Sequence, residues 1–161
     1  MIDPEMLAEG FARNVWIIER QVEGLSHEDA LAQTPYNINC LNWVIGHIVA
    51  GRDHVLQVLG ADPVLSDPER GRYARESDPI TGDGPDVLPL AVLMERLRAG
   101  QVRLEEVLGR LSHDDLAAET IWGEATVAIG ALVHFRYFHD SYHTGQTDLL
   151  RQVAGADDAI I

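Results

Sequence analysis

His139 and His143 lie four residues apart in Phe138-His139-Asp140-Ser141-Tyr142-His143-Thr144-Gly145-Gln146, inside a segment from about Thr126 to Val153 that reads as helix. Four residues is about one helical turn, so both imidazoles share a face and one metal ion could reach both. At about 100° per residue Leu132, Phe135, Gln146 and Leu150 fall on that face too, whereas His134 lies roughly 140° from His139. A third ligand has to come from another helix. Trp43-Val44-Ile45-Gly46-His47 offers His47, and His54 is the alternative. These two stand roughly 10.5 Å apart along the axis, so only one of them can serve a single ion. The competing account is of buried histidines that hydrogen-bond their neighbours: the chain's seven histidines give about 0.3 pairs at this spacing by chance.

The elements that must carry these side chains can be traced along the chain. Asp3 and Pro4 suit an N-cap and a first helical position. Leu7, Phe11, Val15, Ile18 and Val22 then form one apolar stripe, predicting a first long helix to about Gly24. Ser26-His27-Glu28-Asp29 resembles a capping box and predicts a short helix to about Gln33, ahead of Pro35. Asn39, after a turn-like stretch, is placed to cap a second long helix from Cys40 to about Leu59, whose stripe holds Trp43, His47, Ala50, His54 and Val58.

Residues 61–87 change character, mixing Pro63, Pro68, Pro79 and Pro85 with glycines and many acids. They predict a long irregular crossover with a turn of helix near Glu69 to Tyr73. Such a crossover would carry the chain from one end of a bundle to the other and leave helices two and three parallel. The third long helix starts near Leu88 or Pro89 and follows Leu90, Leu93, Met94, Leu97, Leu104, Val107, Leu108 and Leu111, with Gly100 marking close packing. Ser112-His113-Asp114-Asp115 repeats the earlier cap. The two strings are either independent capping motifs or a faint two-fold repeat of helix pairs, which Ala128-Ile129-Gly130 echoes against Val44-Ile45-Gly46. Thr126 is expected to cap the fourth long helix, and Ile160 and Ile161 could pack from the tail.

Composition narrows the function classes. A chain of 161 residues with 46% hydrophobic content fits one soluble domain over 1–161 with a sizeable core. A net charge of −14 repels a phosphate backbone, so neither nucleic acid nor an anionic membrane surface is an expected partner. No run approaches the roughly 18 apolar residues that span a bilayer. The N-terminus lacks the basic-then-apolar pattern of a signal peptide. The single cysteine, Cys40, rules out an internal disulfide and suits a reducing cytoplasm; we expect it buried and inert.

Two motifs together resemble those of the DinB-like (YfiT-like) metalloenzymes: Asn39-Cys40-Leu41-Asn42-Trp43-Val44-Ile45-Gly46-His47-Ile48-Val49-Ala50-Gly51-Arg52-Asp53, and the segment Thr126 to Gln146 that ends in His139-Asp140-Ser141-Tyr142-His143-Thr144-Gly145-Gln146. The resemblance covers nearly the whole chain. It implies an all-α four-helix bundle in up-down-down-up order, with one divalent metal held by His47, His139 and His143. It also carries an expectation of a stress-response setting. Thr144 departs from the pattern, since many members carry Arg there.

Three imidazoles leave coordination positions open, the arrangement of catalytic rather than structural zinc sites, and nickel, iron or manganese suit the same donors. Each ligating ring needs its other nitrogen held. Asp53 and Asp140 are nearby in sequence, Asp140 placed to orient something at the rim, although both acids are more ordinarily solvated charges; Gln146, on the His143 face, could hydrogen-bond a water on the ion or a helix neighbour. Trp43, Tyr36 and Trp122 are candidates for a pocket mouth, or else plain core. The resemblance implies a small-molecule substrate, with a low-molecular-weight thiol as cosubstrate of an S-transferase, and a homodimer is expected. Metal-assisted hydrolysis and a non-catalytic metal- or ligand-binding bundle are the alternatives. The chain's acidity predicts no cationic clamp for an anionic cosubstrate.

Overall fold

The computed structural model describes residues 3–156 and 158. The expected packing of Ile160 and Ile161 lies outside them. Helix α1 (Pro4–Val22) begins where the Asp3 carboxylate accepts the Glu5 and Met6 N–H groups at 2.8 and 3.2 Å, and it buries Leu7, Phe11, Val15 and Ile18. Helix α2 (His27–Ala30) opens on a capping box between Ser26 and Asp29 and stops short of the expected Gln33. Helix α3 (Leu41–Val58) is capped at Cys40, not Asn39. The extended backbone of Cys40 occupies the cap position, which leaves Asn39 one residue too far upstream to reach the first turn. Helix α4 (Asp67–Arg72) lies within the connection, α5 spans Leu90–Leu108, and α6 (His113–Ala117) opens on the second capping box, Ser112 with Asp115.

The largest departure from expectation follows α6. Strands β1 (Glu119–Trp122) and β2 (Ala125–Ala128) form an antiparallel hairpin in which Thr126 pairs with Ile121, so Thr126 is not a helix cap. Thr120, Ile121, Trp122, Thr126 and Val127 are β-branched or aromatic, which suits a pleated surface. Gly123, with φ 61°, supplies the positive dihedral that a two-residue hairpin turn needs at its first position. Helix α7 therefore starts at Ile129 and runs to Val153. Seven helices and this hairpin make up the described residues, so the architecture is mostly helical rather than wholly so.

Helix α1 packs against α5 and α7, and α3 packs against the same two. Apolar side chains form a larger cluster around Ile18, Ile45, Ile48, Leu93 and Leu97, and a smaller one around Phe11, Val55, Leu56, Leu104 and Val133. A buried polar knot joins all four helices. Arg52 donates from Nε to Asp140 Oδ2 at 2.7 Å, from Nη2 to Asp140 Oδ1 at 3.1 Å and from Nη1 to Gln101 Oε1 at 3.0 Å, while Asn14 Nδ2 donates to Asp140 Oδ1 at 2.7 Å. In each long helix the knot residue lies in sequence between residues of the two apolar clusters. Gly100 is not a close-approach site: an added Cβ would meet only Val64 Cγ2, at 3.9 Å.

The connection from 61 to 87 is anchored, not loose. Val64, Leu65, Tyr73, Ile80 and Val87 are buried. The Asp53 carboxylate accepts the Val64 and Leu65 N–H groups at 2.7 and 2.9 Å, and the Tyr73 hydroxyl accepts from the Leu88 N–H at 2.8 Å. Tyr73 also packs on Gly46 so closely that an added Cβ would stand 2.1 Å from its ring.

Candidate metal centre

His139 and His143 project from α7 one turn apart, and His47 meets them from α3. His139 Nε2 lies 3.3 Å from His47 Nε2 and 3.2 Å from His143 Nε2, and one ring nitrogen from each residue lies within 4.8 Å of the others. Two nitrogens on one ion at bond lengths of roughly 2.0–2.1 Å and a tetrahedral angle would stand about 3.3 Å apart. The separations from His139 to each of its two neighbours fit a shared cation.

The groups behind the rings fit it as well. His47 Nδ1 lies 2.7 Å from the Tyr73 carbonyl oxygen, which can only accept, so the proton is on Nδ1 and the lone pair on Nε2. His143 Nδ1 lies 2.7 Å from Gln146 Oε1 and takes the same tautomer when that oxygen accepts. Both outward-held protons thus leave Nε2 lone pairs aimed at the common point. Burial is also the main influence favouring the neutral form of all three rings. It pushes His47 down from the ordinary imidazole value, against the opposing pull of the Tyr73 carbonyl, and it pushes His143 down against Gln146 and Asp140. His139 falls to about 4, through burial first, then its two histidine neighbours, Arg136 and Arg75.

Trp43 is buried and stacks on the His47 ring, with centroids 4.6 Å apart and planes 12° from parallel, and its indole N–H donates to Ser77 Oγ at 2.9 Å. The triad separates two clefts. One, of about 450 Å³, is bordered by His47, His139, His54, Trp122, Phe135 and arginine side chains. The other, of about 370 Å³, is bordered by His143, Gln146, Trp43, Tyr142 and Leu149.

Other candidates fall elsewhere. His54 lines the first cleft but does not join the triad, as expected from its distance along α3. Asp53 is fully buried and anchors the Val64–Leu65 backbone, so it does not stand behind a histidine and is not a solvated charge. Asp140, only 3% exposed, is the acceptor of the polar knot and not a group at the rim. Tyr36 is 75% exposed and forms no part of the site. Cys40 is buried, and burial pushes its thiol up from the ordinary value. Thr144 is buried and donates its hydroxyl to the Asp140 carbonyl at 2.9 Å.

A family model described as the DinB superfamily matches residues 18–147, which takes in all three histidines. The chain belongs to the DinB superfamily. Among solved structures, a conserved protein from Enterococcus faecalis is similar with a TM-score of 0.75 over 98% of this chain and 99% of that one. At 16% identity that likeness is one of fold. No curated protein matches the chain.

This DinB-superfamily member also contains site residues that its motifs do not reveal. Tyr73 contributes a backbone carbonyl, which any residue could supply, so its type gives no sign of the role. Arg75 enters from the connection. Arg136 was open to detection, since it lies three residues ahead of His139 and so on the same side of α7. The expectation of acidic surroundings fails here: Arg70, Arg75 and Arg136 border the first cleft, and among the described residues no carboxylate does.

Proposed function

We propose that this chain is a metal-dependent enzyme in which His47, His139 and His143 hold one divalent ion, with a low-molecular-weight-thiol S-transferase as the most specific form of the reading. The observation that carries it is the convergence of three Nε2 atoms, two of them with lone pairs fixed by Tyr73 and Gln146, on a point beside an open cleft. Zinc, nickel, iron or manganese suit three imidazoles. When bound, such an ion would supply Lewis acidity and lower the pKa of a thiol or water at its open positions. The protein's part is to keep the rings neutral by burial, to orient two of them through their Nδ1 protons, and to offer Trp122 and Phe135 as an apolar wall.

The reading includes one domain with its long helices in up-down-down-up order. Pairings support that order: Asn14 with Asp140 and Gln21 with Asp148 advance together along α1 and α7, as do Asn42 with Leu88 and Arg52 with Gln101 along α3 and into α5. It includes a cytoplasmic setting, supported by the single buried thiol, and a homodimer, supported by exposed apolar residues on α7. No helix among the described residues is long and apolar enough to cross a membrane.

The test is elemental analysis of protein purified without a metal-affinity step, followed by assays of thiol-plus-electrophile and of ester and amide panels. The expected result is about one ion per chain, lost in His139→Ala, with thiol transfer lost in parallel. Turnover confined to the ester or amide panel would replace transfer by hydrolysis. One tightly held ion with no turnover anywhere would reduce the site to binding, and protein that takes up no divalent ion at all would end the proposal.

A further inference from the structure

In a chain whose acids outnumber its bases 26 to 12, the first cleft has the opposite balance. Arg70, Arg75 and Arg136 border it, and among the described residues Asp and Glu side chains do not. Arg70 is already engaged, with Asp67 and with the Leu65 carbonyl. Among the described residues neither Arg75 nor Arg136 has a carboxylate within ion-pair distance or a hydrogen-bond acceptor. Arg136 is half-buried, and its Nε is sealed from water without a partner. The same holds for Nε2 of His54, across the cleft lining. Unpaired buried polar atoms of this kind are costly unless something outside the chain completes them. A divalent ion on the triad would add further positive charge beside the two guanidiniums. Low-dielectric walls focus such a field on whatever enters. Trp122 and Phe135, with ring centroids 4.7 Å apart, give the same cleft a flat apolar side.

We infer that this cleft binds the carboxylate of a small aromatic acid, with Arg136 and Arg75 on the anion and Trp122 and Phe135 against its body. The planar fork of arginine matches a carboxylate in two-point contact, which a lysine would not reproduce. The inference rests on the proposed function only in placing this ligand beside the metal centre. The binding itself needs no metal.

Benzoate, phenylacetate and cinnamate are the probes, titrated calorimetrically into the full-length protein, metal-free and zinc-loaded, with benzamide as the uncharged comparison. The expected result is binding of at least one of the acids in both forms, at least tenfold weaker for its uncharged comparison, weakened by salt, and reduced at least tenfold in Arg136→Gln with partial recovery in Arg136→Lys. If Arg136→Gln fails to fold, the charge comparison and salt dependence on the unaltered protein decide. No binding of any of the three acids, or binding that ignores both Arg136 and charge, overturns the inference. Zinc uptake without acid binding overturns it while leaving the metal centre standing. Acid binding that depends on Arg136 in protein that never takes up zinc upholds it and removes the metal reading instead.

Discussion

His139 is the ring that joins the other two, since its Nε2 is the atom within 3.3 Å of both neighbours. Its neutrality has a measurable consequence. An imidazole held at about 4 when folded, against an ordinary value near 6.5, binds fewer protons in the folded chain than in the unfolded one between those two values. Stability of the metal-free protein should therefore be full above about 6.5 and fall as pH drops through that window toward about 4. Urea midpoints measured across it should decline less steeply in His139→Asn than in the unaltered chain, and parallel declines would show that His139 does not titrate as described. Gln146 acts one step further out, on the Nδ1 proton of His143. Removing such a partner typically weakens a metal about 10–100-fold. Gln146→Ala should thus lower zinc affinity by at least about tenfold in a chelator competition while leaving helix content unchanged; unaltered affinity would mean that the ring needs no such support.

Helices α3 and α7 aim these residues, and the polar knot keeps the two helices in register. Asp140 sits next to His139, and its carboxylate takes two donors from Arg52 and one from Asn14. Removing one partner of a buried ion pair leaves the other charge unpaired, at a cost of about 3–5 kcal/mol. Asp140→Ala should lose about that much in denaturant unfolding, and a loss below about 1 kcal/mol would mean that the knot does not hold α7 in place. Helix α3 is buried nearly all round and was legible from the turn-like stretch before it and Gly60 after it. Helix periodicity made α1 and the start of α5 legible within a residue or two, because each buries one face and keeps a polar one, although α5 ends at Leu108, short of the expected Leu111. The histidine spacing was legible for the same reason. The roles of Asp53 and Asp140 were not, because their partners come from other elements, Arg52 lying 88 residues from Asp140. The hairpin carried a local signal, a run of β-branched and aromatic residues broken by Gly123-Glu124, but Thr126 offered an equally ordinary start for the helix that follows. Gly46 fits the same scale: its missing side chain lets Tyr73 close on α3 and bring a carbonyl to His47.

Charge and apolar surface are distributed over the molecule in ways that composition cannot express. A net charge of −14 predicts a repulsive exterior, yet three arginines meet at one cleft and exposed apolar side chains gather along α7. Phe138, Tyr142, Leu149 and Val153 range from 39% to 62% exposed. At about 100° per residue they fall within roughly 60° of one another on the helix. An unpartnered apolar stripe of this kind marks an association surface more often than a solvated face. The proposed homodimer would cover it. Tyr142 and Leu149 also border the second cleft beside His143, so pairing through this stripe would shield that side of the triad and leave the arginine-lined cleft as the way in. Phe138→Glu places a charge on the stripe without touching the histidines or the knot. It should convert a dimer to a monomer in sedimentation equilibrium, with zinc stoichiometry unchanged. A chain that is monomeric before the substitution, or a dimer that survives it, would place association elsewhere and leave the stripe unexplained.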